Sequence, residues 1–265
     1  MIRQRSIDVP WGVVHARTGR SVRAPTIVLL HQTPRSGDEY TEVIDALGHD
    51  HHVIALDLPG MGASTPHPDG ASIESYADAV AHALRVEAVD DVVLVGHHTG
   101  AAVAATLAAC DALAVTHVVL SSPPWIDDEA RRRRLRRPGP GIDVVVRSPH
   151  GEHLAALWRG RSEFYPADRP DLLDRFVADA LRAVDPAEGH RAVTDWDMES
   201  VLPTLRRRAV TLVDHVADPH AHPYVGEWSA ALPHAKVISI EHGMVPLEFT
   251  ADAFTRALLD TVSGI

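Results

Sequence analysis

The sequence predicts an α/β fold, in which a mostly parallel sheet is covered by helices on both faces. Short runs of β-branched and aliphatic residues alternate with segments of helical periodicity, as a parallel sheet with crossover helices requires. The runs are continuously apolar, which is typical of strands buried on both faces. The length of 265 residues allows one large domain, or one domain with an inserted subdomain.

Six strands and five helices can be placed from these patterns. The strands are expected at residues 26–30, 53–56, 92–95, 118–120, 210–213 and 237–240. The helices are expected near residues 38–48, 72–86, 100–112, 224–232 and 249–262. The second of these helices has the clearest pattern, because an i, i+3, i+4, i+7 stripe of apolar residues follows one face.

One interval interrupts the alternation. Between about residues 123 and 208 no strongly buried strand is found, and an arginine cluster at 131–137 is followed by helical patterns. We therefore expect residues 1–122 and 209–265 to form the core and residues 123–208 to form a helical cap. Such a cap would cover the carboxyl edge of the sheet, where ligands bind in open α/β folds. The arginine cluster is interpreted as a solvated helix face, with attraction of an anionic substrate as the alternative.

Composition excludes several function classes. The 36 acidic residues outnumber the 25 basic ones, giving a formal charge of −11, which argues against nucleic acid and anionic membranes as partners. Cys110 is the only cysteine, so neither an internal disulfide nor a cysteine-based metal cluster is possible. The start of the chain has no apolar core of signal-peptide length. We expect a cytoplasmic protein with a small-molecule substrate, and a homodimer remains an open alternative.

Residues 91–100, Asp-Val-Val-Leu-Val-Gly-His-His-Thr-Gly, have the pattern of a strand, a tight turn and then a helix. Gly96 and Gly100 would allow the strand and the helix to approach closely and would present His98 above the sheet, as in a nucleophile elbow. Other polar motifs follow the neighbouring strands: His31-Gln32-Thr33-Pro34, Asp57-Leu58-Pro59-Gly60, Asp218-Pro219 and His242-Gly243.

In combination these motifs resemble the α/β-hydrolase superfamily, in particular its capped branch of epoxide hydrolases, haloalkane dehalogenases, C–C hydrolases and haloperoxidase-like esterases. The resemblance covers nearly the whole chain. It implies an α/β-hydrolase fold with a mostly parallel eight-stranded sheet, a helical cap and no cofactor. The family normally reads Gly-x-Ser-x-Gly, with Asp or Cys as substitutes for Ser, whereas this sequence has His98 at that position.

The resemblance also implies roles for individual residues. His98 falls on the nucleophile position, and the backbone N–H groups of Thr99 and Thr33 fall on the oxyanion donors. Gln32 replaces a usual glycine and is expected to place its amide near the same pocket. Asp218 falls on the catalytic acid.

The family's last catalytic residue does not align cleanly. The usual order is Gly-His, whereas this chain has His242 before Gly243, so a one-residue slip of the loop is needed to bring His242 into the site. Trp125 is expected to line an apolar substrate pocket, with a place in the core of the cap as the alternative.

The histidine at position 98 and the reversed order of His242 and Gly243 lead to one hypothesis. Because imidazole is longer than the serine side chain, the ring of His98 could occupy the space of the family's catalytic histidine, which Gly243 would leave open. Asp218 would then accept a hydrogen bond from His98, giving a general acid–base pair beside an oxyanion hole. This pair could hydrolyse an ester, a lactone or a C–C bond, or catalyse lyase, decarboxylase, isomerase or cyclase chemistry. Direct attack by His98 and a binding protein without activity are further alternatives.

A group of acidic and histidine side chains between residues 214 and 222 resembles a metal cluster. We interpret it as a strand end and a turn, and expect no metal. His97 is interpreted as structural support for the elbow.

Overall fold

The computed structural model describes residues 2–110, 113–136 and 146–263. Within these residues eight strands form one sheet, which confirms the predicted α/β fold. The strands are β1 (Arg3–Val9), β2 (Gly12–Thr18), β3 (Thr26–Leu30), β4 (Val53–Leu56), β5 (Asp91–His97), β6 (Ala114–Ser121), β7 (Val210–His215) and β8 (Lys236–Ile240). Their order across the sheet is β1-β2-β4-β3-β5-β6-β7-β8, and only the β1–β2 and β2–β4 pairs are antiparallel.

The helices follow the predicted order in the core and add five between β6 and β7. They are α1 (Thr41–Leu47), α2 (Ile73–Val86), α3 (Thr99–Ala109), α4 (Asp128–Leu135), α5 (Glu152–Arg161), α6 (Pro170–Arg182), α7 (Glu188–Asp195), α8 (Met198–Leu205), α9 (Val225–Ala231) and α10 (Ala251–Val262). The end of the third predicted helix at 111–112, and residues 137–145 of the predicted cap, lie outside the described residues. No helix in the described ranges combines the length and the apolar character needed to cross a membrane.

The central parallel strands β3, β4 and β7 are buried along their whole length, and the sheet separates two apolar cores. Val28 and Leu30 of β3 belong to the core beneath α2, α3 and α8, whereas Ile27 and Leu29 of the same strand belong to the core beneath α1 and α10. Side chains alternate across a strand, so a continuous apolar run supplies both cores at once.

The helices between β6 and β7 pack in two ways. Helices α5 and α6 have a small core of their own, which includes Leu157, Tyr165 and Phe176. Helices α7 and α8 instead join the main core, and the Trp196 indole between them donates to the Thr106 hydroxyl of α3 at 3.0 Å. The helices on the two sides of the segment between α6 and α7 therefore belong to different apolar cores.

Helix α3 begins against the backbone of the neighbouring strands. A Cβ atom on Gly100 would lie 1.9 Å from the carbonyl oxygen of Leu30, and one on Gly96 would lie 2.0 Å from the carbonyl oxygen of Gly100. Since both obstacles are backbone atoms, neither can move aside without shifting a strand or the helix. The sharp turn between β5 and α3 thus requires glycine at both positions.

We expect Gly100→Ala to lower the free energy of unfolding by about 3 kcal/mol, because the added methyl group overlaps a strand carbonyl. Urea unfolding followed by circular dichroism measures this loss. The matched control is Gly226→Ala in α9, where nothing lies within 4 Å of the added atom. That change should be neutral or should stabilise the protein by about 0.5–1 kcal/mol, because alanine is the better helix former. Equal stability of the two variants would contradict the steric argument.

Candidate active site

His98 occupies the turn between β5 and α3 with a strained backbone. Its φ of 47° and ψ of −111° lie in a region that residues with a side chain rarely adopt, at a cost of about 1–3 kcal/mol. The turn is held by its neighbours, since the N–H of His98 donates to the carbonyl of Ser121 at 3.0 Å and its carbonyl accepts from Ala101 at 2.9 Å. The side chain is 16% exposed, so solvent reaches the ring.

The imidazole of His98 lies against the carboxylate of Asp218. His98 Nε2 is 2.8 Å from Asp218 Oδ2, although the ring is not oriented for a linear hydrogen bond. The other carboxylate oxygen accepts the N–H groups of His220 at 2.8 Å and Ala221 at 3.3 Å. Burial alone would raise the pKa of Asp218, but the neighbouring His98 and the N–H of His220 outweigh it and hold that pKa well below its usual range.

The space above Gly243 is filled by His215, so the expectation that it would be open is wrong. A Cβ atom on Gly243 would lie 2.6 Å from His215 Nδ1 and 2.8 Å from His215 Cβ. The reason is the length of β7, whose last residue is His215 and whose end reaches beneath the turn after β8. His242 is exposed in that turn, beside a surface depression between β8 and α10, and the described contacts do not bring it to Asp218.

A chain of hydrogen bonds beneath the elbow fixes the tautomers of two buried histidines. His97 Nε2 lies 3.0 Å from the carbonyl oxygen of Val245, which can only accept, so this nitrogen carries the proton. His97 Nδ1 then accepts from the Ser121 hydroxyl at 2.9 Å. The Ser121 oxygen in turn accepts from His215 Nε2 at 3.0 Å. His215 Nδ1 is left as a buried lone pair for which the described residues offer no partner.

Burial keeps these two histidines neutral. Burial, opposed by the charge of Asp218 and reinforced by His98, lowers the pKa of His215 to about 4. Burial also holds the pKa of His97 well below its usual value, again reinforced by His98 and His215. The His97 ring packs edge-on against His98, with centroids 4.6 Å apart. His98 therefore meets an uncharged neighbour on this side and a carboxylate on the other.

The sequence led us to expect the Gln32 amide in the pocket, but this expectation is wrong. Its Nε2 donates to Glu39 Oε1 at 2.7 Å and to the carbonyl of Val245 at 3.1 Å, and its backbone N–H donates to Glu39 Oε2 at 3.0 Å. The fully buried carboxylate of Glu39 thus holds Gln32 inside the protein.

Thr33 and Thr99 lie at the ends of adjacent elements. Thr33 is buried under α7, where a Cβ atom on Gly189 would lie 2.1 Å from its Oγ1. Thr99 is the first residue of α3, and the first N–H groups of an α-helix have no acceptor within the helix. Strands β3 and β5 are paired with Leu30 opposite Gly96, so the loop after β3 and the start of α3 share one edge of the sheet.

The sequence matches the Alpha/beta hydrolase family over residues 27–257, most of the chain. The protein belongs to the Alpha/beta hydrolase family. Its eight-stranded, mostly parallel sheet with helices on both faces is the part of this family's architecture that the structure shows.

Individual relatives are distant. The chain is 26% identical to the pimeloyl-[acyl-carrier protein] methyl ester esterase of Vibrio atlanticus over 254 residues, which cover 90% of this chain and 95% of that protein. It is 34% identical over 116 residues, 44% of its length, to the dihydrolipoyllysine-residue acetyltransferase component of the acetoin cleaving system of Cupriavidus necator, and spans 30% of that protein. The crystal structure of an enol-lactonase from Burkholderia xenovorans superposes with a TM-score of 0.78 at 20% identity, covering 98% of this chain and all of that one.

Trp125 and the acidic–histidine group after β7 contact other side chains in this member of the Alpha/beta hydrolase family. The Trp125 indole N–H donates to Asp127 at 2.9 Å, and its ring packs edge-on against Trp228 beside the main core. Asp214 contacts His222 at 2.9 Å. Within the described ranges no three His, Cys, Asp or Glu side chains are arranged to hold a metal ion.

An ion-pair network next to the site was not predicted. Arg35 is fully buried and contacts Asp179 of α6 at 2.9 Å and Glu248 at 2.6 Å. The Ser36 hydroxyl also donates to Asp179, at 2.9 Å. These contacts attach α6 to the loop after β3. Sequence patterns cannot reveal them, since a charged residue in a loop is most often solvated.

We expect the contribution of His215 to the free energy of unfolding to fall as pH decreases from about 6.5 to 4. His215 stays neutral in the folded protein down to a pKa of about 4, whereas a histidine in the unfolded chain binds its proton near pH 6.5. In this window the unfolded chain binds more protons, so acid favours unfolding. In His215→Asn the slope should be shallower by up to about 1.4 kcal/mol per pH unit.

Urea unfolding at several pH values between 4.5 and 7.5 measures both slopes. The same substitution at exposed His49, which lies outside the buried cluster, is the matched control. A wild-type slope in His215→Asn would show that this histidine is not kept neutral by the fold.

Proposed function

We propose that the protein is a cofactor-independent enzyme that hydrolyses a small ester or lactone, with His98 and Asp218 as its general acid–base pair. The observation that carries the proposal is the 2.8 Å approach of the His98 ring to the buried Asp218 carboxylate at the elbow. Membership of the Alpha/beta hydrolase family supports it. General acid–base catalysis by a positioned imidazole contributes about 10²–10⁴-fold to a rate.

The orientation of His98 decides which nitrogen takes part. Since Nε2 faces Asp218, Nδ1 is the atom that accepts a proton from the attacking water. The water oxygen then bonds to the substrate carbonyl carbon, and the ionised Asp218 stabilises the resulting imidazolium. When the tetrahedral intermediate collapses, the carbon–oxygen bond to the leaving group breaks and His98 Nδ1 returns its proton to the departing alkoxide. No acyl-enzyme forms in this sequence.

Two backbone N–H groups would stabilise the oxyanion. The N–H of Thr99 is available at the start of α3, where the helix dipole also favours negative charge. The N–H of Thr33 lies in the loop after the adjacent strand, at the same edge of the sheet. Such preorganised donors are commonly the largest single contribution to acyl-transfer catalysis.

We also propose that α5 and α6 form the cap over this site. Phe164, which follows α5, packs against His220 with ring centroids 4.8 Å apart, and His220 donates its N–H to Asp218. Asp179 of α6 contacts Arg35 near the Thr33 loop. The small core of these two helices thus contacts both sides of the site.

The names of two similar proteins support an acyl–oxygen substrate. The Vibrio protein is named a methyl ester esterase and the Burkholderia protein an enol-lactonase. Both names describe hydrolysis at a carbonyl group bonded to oxygen, which is the reaction proposed here.

Proton transfer next to a carbonyl is the second candidate function. It is favoured by the residue at the elbow, where an imidazole replaces the hydroxyl, thiol or carboxylate that would form a covalent intermediate. The same Nδ1 atom would remove a proton from carbon, and the same N–H groups would stabilise the enolate.

His98→Ala is expected to lower kcat/KM for p-nitrophenyl acetate, or for the best substrate in a panel of lactones, by about 10²–10⁴-fold. Asp218→Asn should lower it by about 10²-fold or more, because an amide can stabilise the wrong tautomer of His98. Steady-state kinetics at pH 7.5 measure both, with circular dichroism to check that each variant folds.

His242→Ala is the matched control and should keep wild-type kinetics, since this histidine is exposed and outside the pair. The reverse pattern, with activity lost in His242→Ala and kept in His98→Ala, would disprove the pair. Hydrogen–deuterium exchange next to a ketone that depends on His98, without ester turnover, would select the second function. Ligand binding without turnover, unchanged in Asp218→Asn, would exclude catalysis.

A further inference from the structure

Glu39 is a fully buried carboxylate that binds one residue at two points. One oxygen accepts the backbone N–H of Gln32 at 3.0 Å, and the other accepts its side-chain Nε2 at 2.7 Å. Gln32 directly precedes Thr33, so the Gln32 carbonyl and the Thr33 N–H belong to one planar peptide unit. Glu39 holds Gln32 at its backbone N–H and its side chain, and the N–H of Arg35 donates to the Gln32 carbonyl at 2.9 Å, so together these contacts restrict the direction of the Thr33 N–H.

The same contact reaches the catalytic side of the site. The carbonyl oxygen of Val245 accepts from Gln32 Nε2 at 3.1 Å and from His97 Nε2 at 3.0 Å. His97 packs edge-on against His98. Gln32 and His97 are thus held by one acceptor, and Glu39 Oε1 lies 3.9 Å from His97 Nε2.

We propose that Glu39 is a positioning residue whose carboxylate, by holding Gln32 at two points, directs the N–H of Thr33 toward the oxyanion. This inference rests on the proposed function. A carboxylate is required because both groups of Gln32 that face it are donors. An amide at position 39 has one acceptor and one donor end, so one end would oppose an N–H. Rotating the Gln32 amide offers no remedy, because its oxygen would then face the Val245 carbonyl.

Charged and titratable groups surround Glu39 on several elements. Arg35 of its own loop, Glu248 after β8, His97 of β5, the adjacent Tyr40 and Tyr165 of the cap all face it. Burial, together with the charge of Glu248, outweighs the opposing effects of Arg35 and the Gln32 donors and raises the pKa of Glu39 to about 7. The carboxylate is therefore fully ionised only above neutral pH.

Activity and stability respond to the ionisation of Glu39 in opposite directions. The two-point contact is complete above pH 7 and weakens as pH falls through 7, so activity should fall with it. The folded pKa exceeds that of an unfolded glutamate, which is near 4.3. Between these values the folded protein binds the extra proton, so ionisation of Glu39 lowers stability as pH rises.

The test is Glu39→Gln in the full-length protein. We expect kcat to fall by about 10-fold to 100-fold with KM within about 2-fold, since an oxyanion donor is misdirected rather than removed. The step in the pH–kcat profile near pH 7 should disappear. The melting temperature at pH 8 should equal or exceed that of the wild type. Glu42→Gln is the matched control, because Glu42 lies partly exposed on α1 and pairs with Arg175, and it should keep wild-type kcat.

A wild-type kcat and pH profile in Glu39→Gln would overturn the proposal. Lost activity together with a lower melting temperature at pH 8 would also overturn it, because that combination indicates a purely structural role. If the variant does not fold, an NMR titration of the wild-type protein is the alternative test. The backbone amide resonance of Gln32 should then shift with a midpoint near pH 7, and the absence of a shift would refute the contact. Neither the resonance nor the melting temperature depends on turnover. Activity that survives His98→Ala would instead refute the proposed function.

Discussion

The close approach of helix α3 to strands β3 and β5 is the constraint on which the site depends. Glycine at positions 96 and 100 allows backbone to pack on backbone, and the turn between them bends sharply enough to give His98 a positive φ. The same approach places the first N–H of α3 beside the loop that follows β3. The elbow is therefore a property of its flanking glycines, and it presents whichever side chain stands at position 98.

Beneath the elbow, polar groups replace the apolar packing that fills the rest of the sheet. Glu39, His97 and His215 are buried there, and each is held by residues from other elements. Burying such groups is unfavourable unless their hydrogen bonds are satisfied. Two buried polar atoms in this region, His215 Nδ1 and Glu248 Oε2, have no hydrogen-bond partner among the described residues. Natural proteins tolerate such costs mainly at functional sites.

The strands of the parallel sheet could be predicted because a strand buried on both faces is apolar throughout, as residues 26–30 are. The hairpin of β1 and β2 was not located, since β1 lies at the sheet edge and its first four residues are exposed. The proximity of His98 and Asp218 could be predicted because each follows a strand in a recognisable turn. The direction of the Gln32 side chain depends on Glu39, and the position of the His215 ring depends on Gly243. These are contacts between residues of different elements, which a local sequence pattern does not predict.

The ring of His215 above Gly243 also restricts how this chain can change. A histidine at 243, together with serine at 98, would restore the residue types usual in the family, yet the new side chain would meet the His215 imidazole at its first carbon atom. The substitutions are therefore interdependent, and a smaller residue at 215 must come first. Replacing His98 by serine and Gly243 by histidine, with His215 kept, is therefore sterically unfavourable.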